Sequence, residues 1–324
     1  MVGKLTRYDR ATSSIVSVIF DESPYQTPNQ ALKTAIDAKQ GIFPGSWQNN
    51  RQRTGDLLEP VLLNEAKIRL GLDEVVTDLS VKFEHPTLPL EASLDGLAKA
   101  TNKKIKPDPD RGIFIPENKN HIVLDGKIVM ECKCTSIQHP FDTPPNWLGV
   151  LQLKSSMNIV NAKFGILAVL YNSTDLRYYL YEADPKFYKT LASKVLDFDR
   201  RIDEEDYYTP QNSDDARLMY ATCEEEIIKD LPGKDNDLVK NILEKKDLIK
   251  NLQIEVDQMQ TMIMDHLGNH KKGITKNYEV DWGVTNYKAK PEKVIPAKEA
   301  YTIRNKSLKF KVRANSPEGG LGKI

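Results

Sequence analysis

The sequence predicts an α/β (α+β) protein, a mixed β-sheet flanked by helices, followed by a C-terminal helical arm and an extended tail. Three observations carry that prediction. Apolar residues recur every three or four positions in two segments near the start. The middle of the chain strings short apolar runs between turn residues, and a long near-heptad stretch follows beyond residue 235. The order helix, strand, hairpin, helix, hairpin is that of a mixed sheet covered by helices.

Taken in order, Ala31–Lys39 (ALKTAIDAK) and Arg53–Leu70 (RTGDLLEPVLLNEAKIRL) have the spacing of amphipathic helices, and Gly71 is placed to end the second. Between Phe83 and Leu97 the pattern breaks into short pieces around Pro86 and Pro89, and ASLDGL reads as a strand running into a turn. His121–Thr135 (HIVLDGKIVMECKCT) reads as a tight hairpin turning at Asp125-Gly126, with Lys127 to Cys134 as an alternating second arm. A helix is expected over Trp147–Val160, then a second hairpin, LAVLYN and RYYLYEAD, around Asn172–Asp175. Leu238, Ile242, Ile249, Leu252, Val256, Met259 and Ile263 predict one helix from about Asn236 to Leu267. It is read as a packing arm, because about four heptads is short for a coiled coil. There is no internal repeat. The chain thus divides into a core (1–196, with an inserted loop at about 99–120), an acidic segment with the long helix (197–270) and a basic tail (271–324).

Of 324 residues, 46 are basic and 46 acidic, so the formal net charge is zero. The zero conceals segregation: Asp197 to Asp237 holds 14 acidic and 5 basic residues, whereas Lys271 to the end holds 13 basic and 5 acidic. Neutrality therefore does not exclude a polyanionic partner, and the basic tail offers phosphate contacts. Three cysteines (Cys132, Cys134, Cys223) supply neither a disulfide framework nor a four-thiolate metal site, which points to a reduced, cytoplasmic protein. The start carries no apolar segment of signal-peptide length and no stretch approaches the length of a membrane span, so no membrane association is expected. The five histidines lack metal-binding spacings, and Trp147 is read as packing on the core rather than stacking on a base.

Glu131 and Lys133 flank Cys132 on a strand, so both point to one face while the cysteine points to the other. A carboxylate beside an ammonium suits metal-assisted phosphodiester hydrolysis: the carboxylate holds a hard cation, and the lysine orients water or steadies phosphate charge. Alone, the pair is an ordinary surface ion pair. Asp95 lies 36 residues upstream at the end of a strand before Gly96, and Glu59 lies on a helix after Gly55. Each has a plainer reading too, a turn residue and a solvated helix position.

Read as a set, the segments resemble the YqaJ-like viral recombinase, lambda-exonuclease-like family of PD-(D/E)xK nucleases. SPYQTP (Ser23–Pro28), GDLLEP (Gly55–Pro60), EASLDG (Glu91–Gly96), VMECKCT (Val129–Thr135) and LQLKSSM (Leu151–Met157) follow that family's motifs in order, over residues 8–190. The resemblance implies a restriction-endonuclease-like core. It makes Glu59, Asp95, Glu131 and the Cys132 carbonyl metal ligands, Lys133 the catalytic lysine, and Gln152 its helper. Arg10 and Ser14 fall where the family meets a terminal 5′ phosphate, although ATSSI lacks the family's glycines. TNKKIKPDPDRG departs as an inserted basic loop, a DNA contact or a mere surface loop, and YEVDWGVTNY resembles a C-terminal strand piece. The implied activity is a magnesium-dependent 5′-3′ exonuclease, holding two Mg2+ ions with Mn2+ as the alternative, that digests linear double-stranded DNA to 3′ single strands for recombination. A homotrimer ringing DNA ends, a phage single-strand annealing protein as partner and the host cytoplasm follow from the same resemblance. The alternatives are an endonuclease or RecB-like nuclease of the same fold, or a non-catalytic DNA-end-binding protein.

Overall fold

The computed structural model describes residues 7–45, 50–77, 79, 81–116, 119–137, 142–222 and 228–283. The chain forms two compact units, Met1–Tyr220 and Ala221–Ile324, and each is taken by itself. The chain start, His139, Cys223 and the tail beyond Gly283 lie outside the described residues.

The first unit runs through β1 (Ala11–Thr12), a tight turn into α1 (Val16–Ile19), α2 (Pro28–Lys39), α3 (Asn50–Leu70), β2 (Glu74–Thr77), β3 (Lys82–Glu84), β4 (Leu90–Ser93), β5 (Gly96–Ile105), β6 (Ile113–Phe114) and β7 (Ile122–Thr135). Then come α4 (Leu151–Ile159), β8 (Phe164–Tyr171), β9 (Asp175–Glu182), α5 (Pro185–Glu204) and α6 (Ser213–Met219). The helix starts obey local chemistry. Thr27 and Gln30 form a reciprocal capping box ahead of Pro28, and the Asp184 carboxylate accepts the Lys186 and Phe187 amides at 3.0 and 3.1 Å. Gly71, at φ 63°, ends α3 as expected.

Six strands form the main sheet in the order β2-β5-β7-β8-β9-β6. It is mixed: β7 runs parallel to β8 and β6 parallel to β9, while the remaining pairs are antiparallel. A small sheet, β1-β4-β3, stands beside it. Each face of the main sheet carries its own apolar cluster. Leu63, Ala66 and Leu70 of α3 pack on Ile128, Met130, Ile166 and Tyr178, whereas α1, α2, α4 and α5 pack on Val129, Leu167, Val169 and Tyr179. Strand β8, covered on both sides, is therefore a near-continuous apolar run.

The β8–β9 hairpin turns at Asn172 and Ser173, both at positive φ, where it was expected. Four expectations are corrected. His121–Thr135 is no hairpin: Ile122 to Thr135 is one strand, paired with β5 from Ile122 to Met130 and with β8 from Ile128 to Thr135. Gly126, at φ 91°, lies beside a register shift instead of a turn, and Asp125 accepts the Asn102 amide at 3.2 Å. Nor is 99–120 a loop; it holds most of β5, a short helical turn at Pro109–Arg111, and β6 bonded to the sheet edge. The helix expected from Trp147 begins regularly only at Leu151, because Gly149 at φ 91° kinks the preceding turn. The core does not end at 196: α5 crosses that point, burying Phe198 and Ile202 beyond it.

The second unit contains α7 (Gly233–Leu267), matching the expected long helix, and a two-stranded ribbon of β10 (Lys272–Ile274) and β11 (Glu279–Asp281). Among the described residues, no helix is long and apolar enough to cross a membrane.

Candidate active site

Alternation along β7 turns Glu131 and Lys133 toward α4 and leaves Cys132 packed against the α3-side cluster. The Lys133 ammonium donates to Glu131 Oε1 at 2.7 Å and to Gln152 Oε1 at 3.0 Å. Gln152 comes from the first turn of α4, so the kink that delays that helix also sets where its amide reaches. Glu131 is 1% exposed and the Lys133 side chain 31%. Desolvation works to lower the lysine's pKa, but the charges of Glu131 and Asp95 outweigh it and hold the pKa above the ordinary value. Lys133 is therefore an ammonium at neutral pH.

Asp95 sits where the chain passes from β4 in the small sheet to β5 in the large one, 5% exposed. Its Oδ2 accepts the Cys132 amide at 2.8 Å, which ties this junction to the middle of β7. Gly96 is what lets the junction sit so close. A Cβ there would lie 3.0 Å from Leu63 Cδ1 and 3.2 Å from the Val76 carbonyl oxygen.

These groups open into a cleft of about 460 Å³ lined by Glu59, Asp95, Glu131, Cys132, Lys133 and Gln152. Five of the residues expected to act together, and the residue whose carbonyl was singled out, thus line one cleft. Ser14 lines it as well, whereas Arg10 does not. Arg10 instead holds Glu91 Oε1 at 3.2 Å, beside Arg7 at 3.1 Å, and Lys82 approaches the same carboxylate at 3.8 Å. Glu91 is 3% exposed, so one buried anion gathers three cations at the cleft's edge. Arg7 and Lys82 line the cleft with Arg51 and with Glu91 itself.

Two participants escaped the sequence reading. Glu91 was quoted only as part of a motif, although a glutamate inside the apolar run LEAS is itself a signal. Gly149 is the other: a Cβ on it would come 3.1 and 3.2 Å from the Lys133 stem and 2.8 Å from Leu167 Cδ1. Its missing side chain is the space in which Lys133 lies.

The two cysteines of β7 differ in exposure. Cys132 is half-buried and Cys134 is exposed. The Cys132 thiol is pushed well up by its hydrogen bond with Cys134 and by burial, and Cys134 is drawn down to about 7 by the same bond. Trp147 packs on the core as expected, edge-on to Tyr25 with ring centroids 5.4 Å apart.

Among the described residues, no three His, Cys, Asp or Glu side chains are grouped as they would be around an ion. Glu59 shares the cleft with Asp95 and Glu131 without closing a three-carboxylate cluster. The donor set nonetheless suits a hard cation that keeps several waters and takes one or two carboxylates. Asp95 and Glu131 are both buried and line a cleft open to water.

No family model matches the chain, and no curated protein matches it. Among solved structures it is similar to the alkaline exonuclease LHK-Exo from Laribacter hongkongensis, in a complex with dAMP, at 16% identity and a TM-score of 0.44 over 61% of this chain and 90% of that one. It is also similar to a phage related exonuclease from Haemophilus somnus 129PT, at 12% identity and a TM-score of 0.39 over 61% of this chain and 96% of that one.

Proposed function

We propose that the chain is a metal-dependent deoxyribonuclease, a phage-type exonuclease that degrades linear double-stranded DNA from the 5′ end and leaves 3′ single strands for strand annealing. The observation that carries this reading is the convergence of Asp95, Glu131, Lys133 and Gln152 in one cleft, from a strand junction, a central strand and a helix start. Glu59, Asp95, Glu131 and the Cys132 carbonyl would hold magnesium. When bound, the metal supplies an acidified water and offsets phosphate charge. Lys133, kept protonated by its carboxylate neighbours, gives its third N–H to the attacking water or to a phosphate oxygen. Gln152 and Glu131 fix its direction. Ser14 and Arg7 line the same cleft and would meet a terminal phosphate there, with Arg10 supporting Arg7 through their shared partner Glu91. A ring of three chains around DNA and a phage annealing partner belong to the same reading.

The test is a time course on 5′-phosphorylated linear duplex, 5′-hydroxyl linear duplex and closed circles, with and without magnesium. Wild type should digest the phosphorylated linear duplex fastest and spare circles. Asp95→Asn should be slower by at least about 100-fold, the scale on which loss of one charge-stabilising group is felt. Nicking of circles would make the protein an endonuclease; magnesium-independent binding without cleavage would make it an end-binding protein.

A further inference from the structure

Beside the end of α3 lies a second opening, a groove of about 800 Å³ that shares no lining residue with the cleft. Its cations are Arg69 from α3, Lys103 and Lys104 from β5, and Lys106 and Arg111 from the segment leading into β6. One carboxylate lines it as well, Asp108, and its Oδ1 is taken up by its own turn, accepting the Arg111 amide at 3.2 Å. Lys103, Lys104 and Lys106 are exposed, and among the described residues no carboxylate pairs with any of them. The groove is thus a concentration of positive charge without counterions.

It is also held in shape. Arg69 Nη1 donates to the Arg111 carbonyl at 3.2 Å while Arg111 Nη2 donates to the Arg69 carbonyl at 2.8 Å, a reciprocal clasp between α3 and the Pro109–Arg111 turn. Asp108 and Ile113 exchange both backbone hydrogen bonds at 2.8 Å, and Gly112 lets this turn lie on β9, since a Cβ there would come 2.3 Å from the Leu176 carbonyl oxygen. Gly71 likewise leaves room for Lys103, whose Nζ lies 2.6 Å from where a Cβ would stand. Strand β2 covers β5 only from Gly96 to Lys99, and lysines along an open edge discourage pairing with other chains. That accounts for Lys103 and Lys104. It does not account for Lys106 and two arginines converging on the same space from other segments.

The chemistry of the lining selects the partner. Among the described residues no Phe, Tyr or Trp lines the groove, so it offers no platform for unstacked bases, only charge and N–H donors of the kind that hold phosphates regardless of sequence. Its place selects the same partner. Ten residues of α3 separate Glu59 in the cleft from Arg69, about 15 Å, and eight residues of β5 separate Gly96 from Lys104, about 26 Å. A duplex advances about 3.4 Å per base pair, so some five to eight pairs cover that reach.

We propose that this groove holds the phosphate backbone of duplex DNA whose end lies in the cleft, an inference that rests on the duplex-degrading reading above. The basic segment TNKKIKPDPDRG is then a substrate contact.

Fluorescence anisotropy with a labelled duplex of about 30 base pairs in EDTA, where nothing is cut, tests this across roughly 50 to 200 mM salt. Lys104→Gln/Lys106→Gln should bind at least about fivefold more weakly than wild type, and its plot of log affinity against log salt should be shallower by about 2, the mark of two lost phosphate contacts. Its melting temperature should equal that of wild type, and Lys104→Arg/Lys106→Arg should bind as wild type does. Lys189→Gln/Lys194→Gln, which removes the same charge from the exposed side of α5, should leave the slope unchanged. Equal affinity and slope for wild type and the groove variant would overturn the groove alone. An equal loss from the α5 variant would reduce the effect to net charge, and a deficit confined to a single strand of the same length would give the groove to the product; either overturns the proposal. A wild type that neither binds duplex in EDTA nor digests it in magnesium would overturn the reading beneath it as well.

Discussion

Lys133 owes its position to three neighbours of different kinds: Glu131 and Gln152 hold its nitrogen, and Gly149 makes room for its stem. The glycine is therefore the more informative residue to change, because it touches no reacting group. Gly149→Ala adds a methyl 2.8 Å from Leu167 Cδ1 and 3.1 Å from Lys133 Cγ, on a backbone at φ 91°. Both effects point the same way. The left-handed backbone costs about 1–2 kcal/mol for a residue with a Cβ, and the lysine must move off Gln152 to relieve the contact. The expected outcome is a fall in nuclease rate of more than about tenfold, with a melting temperature lowered by only a few degrees. A rate that tracks stability alone would show that Lys133 does not depend on this space. That Glu131 and Lys133 share a face was legible in advance because residues two apart on a strand point the same way. Gly149 was not, because its partner lies 16 positions away and nothing local marks a glycine as room for a distant side chain.

The α5 cap shows how one local device can be read in full. Asp184 accepts two amides at the helix start and lies 3.6 Å from Lys154. The Phe187 amide above all, with Lys154, holds its carboxyl below the ordinary value against the opposing effect of burial. A depressed carboxylate contributes stability that is present above its unfolded pKa, near 4, and lost as pH falls through the folded value. Asp184→Ala should thus cost about 1 kcal/mol at pH 7 in urea unfolding, and the gap from wild type should close below about pH 4. A gap that persists in acid would assign the effect to packing. Local signals of this kind made the capped helices and the β8–β9 turn legible. The Asp125-Gly126 turn failed because the dipeptide outweighed the pattern around it. Ile122, Leu124, Ile128, Met130 and Cys132 keep one unbroken period of two through Gly126, all facing the same cluster, which a hairpin would have reset. The strand pairs with β5, a partner set by tertiary packing that no local motif announces.

Charge segregation along the chain suggested that the core ends near 196, where acidic residues begin, but packing extends the first unit to Tyr220. Phe198 and Ile202 are 0 and 2% exposed inside it. Beyond α5, Asn29 exchanges hydrogen bonds with both backbone groups of Tyr208, at 2.8 and 3.1 Å, and the buried Asp215 accepts the Thr27 hydroxyl at 2.5 Å. The first half of the acidic segment therefore fastens α6 onto the start of α2. Ending the chain after Tyr220 or after Leu196 separates the two boundaries. The longer fragment should melt cooperatively within a few degrees of the first transition of the full chain. The shorter one loses two large core side chains at about 2–5 kcal/mol each, plus the Thr27–Asp215 bond. That approaches the whole stability of an ordinary domain, about 5–15 kcal/mol, so the 1–196 fragment should have no cooperative transition above room temperature. If it melted like the longer fragment, the residues from 197 to 220 would be ornament on a core complete without them.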